Sequence, residues 1–256
     1  MGDAVQGFLA ALVIATVTAP VGVSGAVFLL PVQLSLLHVP NPAVTPTNLL
    51  YNVVAGPGAL LRYRRNGQLA GPLARRLVAG TVPGVVLGAI IRVHLVPGVR
   101  PFRLIAAAVL LGVGTWLLRQ TLGAARPREA LSDRAVLLLA LVVGVIGGVY
   151  GIGGGSLLSP ILVGSGLTVV AVAPAALAST FVTSVVGALT YAVLALTTDG
   201  SVAPDWRIGL ACGLGGLVGG YAGARLQPWL PERLLRILLG SLAVAVACVY
   251  LVQSLR

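Results

Sequence analysis

Two runs of small and polar residues, set inside apolar sequence, are where chemistry could sit. The first reads Gly22-Val-Ser-Gly-Ala-Val-Phe-Leu-Leu-Pro31 and the second Gly151-Ile-Gly-Gly-Gly-Ser-Leu-Leu-Ser-Pro160. Each glycine in a helix interior costs about 1 kcal/mol relative to alanine, so Gly153, Gly154 and Gly155 together read as a break. Unwound backbone in lipid leaves N–H and C=O groups unpaired, and it survives only inside protein or beside a water-filled cavity. There the free amides and the positive end of the following half-helix form an anion site without a formal charge. Ser24, Gly25, Gly153, Gly154, Gly155 and Ser156 are the candidate donors to substrate oxygens. A packing kink built from small residues is the competing account of the same pattern.

A second polar set follows each run. Thr45, Thr47, Asn48, Tyr51 and Asn52 answer the first, and Ser179, Thr180, Thr183 and Ser184 the second. Asn48 and Asn52 are four apart, as are Thr180 and Ser184, so each pair shares one helical face. Such faces look inward, bonding a neighbouring helix or lining a pathway. Their matching places favour the lining role, so Asn48, Asn52, Thr180 and Ser184 complete the candidate substrate-binding set.

What is missing narrows the chemistry. The six acidic residues (Asp3, Glu129, Asp133, Asp199, Asp205 and Glu232) all fall at expected segment ends or loops. No carboxylate is left mid-segment to relay protons or hold a cation. His38 and His94 sit at segment edges, and Cys212 and Cys248 lie in apolar runs without metal-ligand spacing, as small buried hydrophobes. Phosphate-binding loop, zinc-protease and nucleophile-elbow motifs are absent. Catalysis, a metal and a cofactor are therefore not expected.

The elements that must position these residues follow from composition. Of 256 residues, 57% are hydrophobic and 9% charged, with a mean hydropathy of +1.01. A soluble surface needs about a quarter of its residues charged, so the solvent here is lipid. The net charge of +11 comes from 17 Arg and no Lys. These arginines crowd into gaps such as 62–76 and 119–134, as the positive-inside rule produces. A nucleic-acid face would line them along one element with aromatics between, so nucleic acid is excluded as a partner. The first apolar stretch has no basic flank before it and is followed by others, so it reads as a membrane segment and not a cleaved leader.

Apolar runs long enough for a bilayer core of about 30 Å lie near 8–37, 43–61, 74–95, 101–121, 135–165, 172–196, 206–227 and 233–253. The halves match in order: Thr47-Asn48-Leu49 with Ser179-Thr180-Phe181, Pro83-Gly84 with Val218-Gly219, Phe102-Arg103-Leu104 with Leu235-Arg236-Ile237. The expected fold is an all-α polytopic membrane protein of two homologous four-segment repeats, over 1–121 and 135–256, joined by a polar linker at 122–134. In each repeat the first segment is broken at glycine. If segments 1 and 5 each cross once, the arginines divide eleven to six with both termini inside. If each folds back as a hairpin, the repeats are inverted and the division is twelve to five with the termini outside. The inverted form sets the breaks on opposite sides, as alternating access needs, and is the one favoured.

With these residues in place, the chain resembles the sulfite exporter TauE/SafE family of membrane transporters. Gly151-Ile152-Gly153-Gly154-Gly155 ahead of Pro160, its weaker copy Gly22–Pro31 and the Gly-rich third segments carry the likeness. The chain departs from the pattern where Ser24-Gly25-Ala26 replaces a full glycine cluster. The resemblance implies a carrier of sulfite, sulfonates or related sulfur-containing anions, working by alternating access in the cytoplasmic membrane. Its expected partners are a small anionic solute and the lipid bilayer, with association into a homo-oligomer left open. The rival reading is a non-transporting membrane scaffold or accessory subunit, disfavoured because matched polar residues point inward.

This reading puts the 62–76 and 119–134 loops on one, cytoplasmic side. Single cysteines at Asn66 and Ala130, in a background lacking Cys212 and Cys248, should resist a membrane-impermeant thiol reagent in intact cells. Labelling of either from outside overturns the assignment.

Overall fold

The structure, a computed structural model, describes residues 2–40, 43–69, 71–94, 100–123, 131–197 and 203–255. Glu129, Asp199 and Ala130 lie outside the described residues, as does most of the 122–134 linker. Ten α-helices and two short 3-10 turns account for nearly all of what is described, with no strand among it. The helices are α1 (Gly2–Thr18), α2 (Ala26–Ser35), α3 (Val44–Arg65), α4 (Pro72–His94) and α5 (Arg100–Leu122), then α6 (Asp133–Tyr150), α7 (Gly155–Gly164), α8 (Val169–Thr197), α9 (Trp206–Leu226) and α10 (Glu232–Leu255).

Five of the described helices are long and apolar enough to cross a membrane: α1 with its following turn, α4, α6, α8 and α10. α3, α5 and α9 have 22, 23 and 21 residues, lengths that match a bilayer. Their mean hydropathy is lowered by arginines, by glycines and, in α3, by a buried polar face. The expected segments 1 and 5 are each two helices. α2 and α7 have 10 residues apiece, about 15 Å of helix, half a bilayer core.

The side-chain distribution is that of a protein dissolved in lipid. Leu9, Val13, Leu138, Val142 and Leu189 are all more than half exposed on outer faces, whereas Asn48, Asn52, Ser156, Thr180 and Ser184 are buried. Cys212 is buried on α9, but Cys248 is exposed on the outer face of α10. In an apolar solvent a thiol needs no burial, which corrects the expectation for Cys248.

Backbone-to-backbone contact through glycine joins the helices in pairs. On α9, Gly215, Gly219 and Gly223 face the carbonyl oxygens of Phe8, Leu12 and Thr16 on α1, and a Cβ at any of them would collide with that oxygen. On α4, Gly80, Gly84 and Gly88 meet the carbonyls of Leu137, Leu141 and Val145 on α6 in the same way. Both sets advance in steps of four, so α1 runs parallel to α9 and α4 parallel to α6. Lipid tails are as apolar as leucine, so close van der Waals approach is what holds membrane helices together. α3 packs between α9 and α8, and α8 between α3 and α4, while α5 and α10 form an antiparallel pair across Gly114 and Gly240.

Polar ties fix the ends. At one end Arg76 at the start of α4 pairs with Asp133 at the start of α6, N···O 2.7 Å. At that end Arg65 of α3 also donates to the Tyr221 hydroxyl of α9. Glu232, opening α10, accepts from the Val169 amide, and Arg236 donates to the Leu167 carbonyl at 2.9 Å. At the other end the Asp205 amide ahead of α9 donates to Thr47 at the start of α3. The described carboxylates all sit at helix starts (Asp3, Asp133, Asp205 and Glu232), where they oppose the positive end of the helix dipole.

Replacing Gly219 by Ala forces a methyl against the Leu12 carbonyl, an overpacking that costs about 1–3 kcal/mol. Gly112→Ala on α5, where a Cβ meets nothing within 4 Å, is the control. Thermal unfolding in detergent should fall by several degrees for the first and stay level or rise for the second. Equal effects would show that the glycine contact is not what joins α1 to α9.

Candidate functional site

The two breaks have one build. α1 tightens into a 3-10 turn at Ala19–Val21 and stops at Gly22, with φ +74°. α6 stops at Gly151, with φ +69°. Glycine adopts this left-handed backbone without the clash a Cβ would bring. Three residues on, Gly25 and Gly154 are the N-caps of α2 and α7; neither glycine has a side chain to cap its helix, but the Ser24 hydroxyl accepts from the Ala26 amide that opens α2.

A broken helix exposes both kinds of backbone pole, and side chains decide which stays available. Here the carbonyls are taken. The Tyr63 hydroxyl donates to Ala19 O at 2.9 Å, Gln227 Nε2 to Pro20 O at 2.6 Å and the Ser159 hydroxyl to Val21 O at 2.7 Å. At the second break the Tyr191 hydroxyl donates to Gly148 O at 2.9 Å. Thr45 reaches Val149 O, Asn52 Nδ2 reaches Gly151 O and Ser156 reaches Ile152 O, at 3.3–3.4 Å. Seven carbonyls that would repel an anion each hold a donor. The opening amides of α2 are paired as well, Ala26 with the Ser24 hydroxyl, Val27 with Ser24 O and Phe28 with Gly25 O, whereas the start of α7 has no capping side chain.

The breaks lie against each other. The Ser24 amide donates to the Ser156 hydroxyl at 3.0 Å, across the two halves of the chain. The Ser24 hydroxyl donates to Asn52 Oδ1 and accepts from the Ala26 amide. Asn48 Nδ2 donates to Ala26 O at 3.0 Å.

Beside this junction is a cavity of about 30 Å³, above the ~10–15 Å³ that one water requires. Its polar wall is Thr18, Ser24, Tyr51, Asn52 and Thr180 around the backbone of Gly25, and its apolar wall includes Ala15, Ala55, Leu177 and Phe181. No lining residue is charged. The hydroxyls of Thr18 and Thr180 are buried, with the residues 1% and 3% exposed, and neither has a hydrogen-bond partner. A buried hydroxyl without a partner carries a desolvation penalty of about 1–3 kcal/mol, which a bound oxygen would remove.

Of the residues expected from sequence, Ser24, Gly25, Asn52 and Thr180 line this cavity together. Ser156 touches it only through Ser24. Gly153 stands behind the Thr180 side chain, Gly155 against the Ala176 carbonyl with the Thr180 hydroxyl beside it, and Gly154 is closed in by Thr81. Asn48 is engaged with α2, though its Oδ1 is unpaired, and Ser184 is buried with an unpaired hydroxyl; neither lines the cavity. Thr18 and Tyr51 were not among the expected site residues. Tyr51 belongs to the same face as Asn48 and Asn52 by helical spacing, a signal that could have found it. Thr18 carries no such pattern.

These features define a multi-pass helical membrane protein with a buried, uncharged polar site at paired helix breaks. A family model, Sulfite exporter TauE/SafE, matches residues 7–250, and the chain belongs to this family of membrane transporters. No curated protein and no solved structure gives a significant match.

Tyr63→Phe removes the donor from a buried carbonyl and should destabilise the protein by about 1–2 kcal/mol. Tyr221→Phe removes an exposed bond to Arg65 and should be nearly neutral. Denaturant or thermal unfolding of the two variants checks this, and equal stability would mean that the break does not depend on sealed carbonyls.

Proposed function

We propose that the protein carries a small sulfur-containing anion, sulfite-like or sulfonate-like, across the cytoplasmic membrane by alternating access around the paired breaks. The observation that carries this reading is the occupation of the break carbonyls by side-chain donors beside a buried, uncharged cavity in which the hydroxyls of Thr18 and Thr180 have no partner. The start of α2 borders the cavity and the start of α7 lies behind Thr180, and helix N-termini favour negative charge. Ser24, Gly25, Asn52, Thr180, Thr18 and Tyr51 form the binding wall in this conformation. Gly153, Gly154, Gly155, Ser156, Asn48 and Ser184 belong to the surrounding shell that a rocking motion would bring into play.

The inverted-repeat reading draws support from the packing. The pairs α1 with α9 and α4 with α6, and α3 with α9 and α4 with α8, exchange under a swap of the two halves, while α5 with α10 maps onto itself. α6 starts at the end marked by Arg76 and Asp133, and α7 finishes at that same end, beside Glu232 and Arg236. α1 starts at the opposite end, parallel to α9, and α2 leads back towards the start of α3. Two hairpins entering from opposite sides is the arrangement these ties favour. Among the described residues it sets ten arginines at the end holding Arg76 and four at the other, which makes the first end cytoplasmic.

Purified protein in liposomes, assayed with sulfite, sulfate, thiosulfate and short sulfonates, tests the substrate class. The deciding variant is Thr180→Val, which exchanges an unpaired hydroxyl for a methyl of similar size. Transport should fall about tenfold, one good hydrogen bond to the anion, while thermal stability holds or rises. Wild-type flux in Thr180→Val would remove the cavity from the pathway.

A further inference from the structure

We propose that the site selects by charge state, taking singly charged oxyanions (sulfonates, sulfate monoesters and hydrogen sulfite) and rejecting doubly charged ones. This rests on the transport reading above and specifies its substrate.

The supply of positive potential sets the limit. None of the side chains lining the cavity is charged. Arg92, the buried arginine among the described residues, is outside the lining. What remains is the dipole of two half-helices, about half an elementary charge each. The segment leading into α2 presents Val23, Ser24 and the N-cap Gly25 to the cavity directly. The start of α7 stands behind Thr180. Together they balance about one negative charge. A second charge would enter a buried site with nothing to offset its lost hydration, a penalty of several kcal/mol per ion in proteins.

The remaining groups suit a monoanion with an organic substituent. The hydroxyls of Thr18 and Thr180 have no partners, and each can donate to an anionic oxygen without adding charge. Across the cavity Ala15, Ala55, Leu177 and Phe181 form an apolar wall, against which an alkyl group packs and a second charged oxygen cannot. The lining comes from α1 and its following turn, the start of α2, and α3, α8 and α9. The one titratable side chain these present is Tyr51, neutral well beyond neutral pH. The pH dependence of transport therefore follows the substrate's ionisation and not the protein's.

The test uses wild-type protein in liposomes and compares singly with doubly charged substrates. Methyl sulfate and methanesulfonate carry one charge, whereas sulfate carries two. The kcat/KM for the monoanions should exceed that for sulfate at least tenfold, and sulfite flux should fall as pH rises and hydrogen sulfite loses its proton. The second measurement needs no flux: millimolar methanesulfonate should raise the thermal midpoint of detergent-solubilised protein, while sulfate at equal ionic strength should not. Adding a charge by Thr18→Lys should move the preference towards sulfate. Sulfate handled as well as methyl sulfate, in both flux and thermal shift, overturns the inference and leaves the transport reading standing. Failure to move any sulfur anion overturns both.

Discussion

Every backbone amide and carbonyl in a bilayer must find a partner within the protein, and this fold interrupts its helices at two places where that is hardest. The price of each interruption is several kcal/mol per unpaired group. The structure meets it unequally. Seven carbonyls around the breaks receive side-chain donors from α3, α7, α8 and the turn after α9. Of the two amide ends, that of α2 receives the Ser24 hydroxyl and that of α7 has no capping side chain. On the transport reading, sealed carbonyls beside half-helix N-termini favour an anion in a site whose lining side chains are uncharged.

Holding two breaks together also demands that their helices be set firmly. The glycine contacts of α1 with α9 and of α4 with α6 do this by bringing backbones into direct contact, where dispersion is strongest. α9 carries glycine on a second face as well: Gly213 and Gly216 receive Val54 and Tyr51 of α3. The contact at Gly216 seats the Tyr51 ring so that its hydroxyl comes up against Gly25. A residue far from the breaks in sequence thereby shapes the cavity wall.

Much of this was legible in the sequence, for physical reasons that apply residue by residue. A run such as Gly153–Gly155 cannot continue a helix, so the breaks announce themselves, and the helix ends at Gly22 and Gly151 fall within the expected runs. Loop arginines and apolar stretches likewise follow from the solvent. The division of labour among the polar residues was not legible. Ser24 and Asn52 look alike as hydrogen-bonding residues near a break, yet Asn52 serves both a carbonyl and a hydroxyl. The partners that decide such roles lie across the fold; Ser24 and Ser156, for example, are 132 residues apart. Thr18 was missed because a lone threonine at the end of an apolar helix ordinarily bonds its own backbone, and only the fold reveals that this one does not.

The two breaks share a build but not a setting, and the difference bears on how a pathway could alternate. The first break opens onto the cavity through Ser24 and Gly25. The second, with the fuller glycine cluster, is closed in by Thr81, Ala176 and Thr180, so that even one methyl at Gly154 or Gly155 finds no room. A carrier that opened both breaks at once would be a channel; asymmetry is what any single state of an alternating carrier must have. Thr180, with its unpaired hydroxyl, and Asn48, with its unpaired Oδ1, lie against the closed break, and the unpaired Ser184 hydroxyl is one helical turn beyond Thr180. They are polar groups held without partners in this state. On the transport reading, a shift of the second hairpin against α8 would supply those partners while closing the first break. Glycine suits the second break for that reason: its three residues let α7 pack against α8 with no side chain to wedge the closed state open.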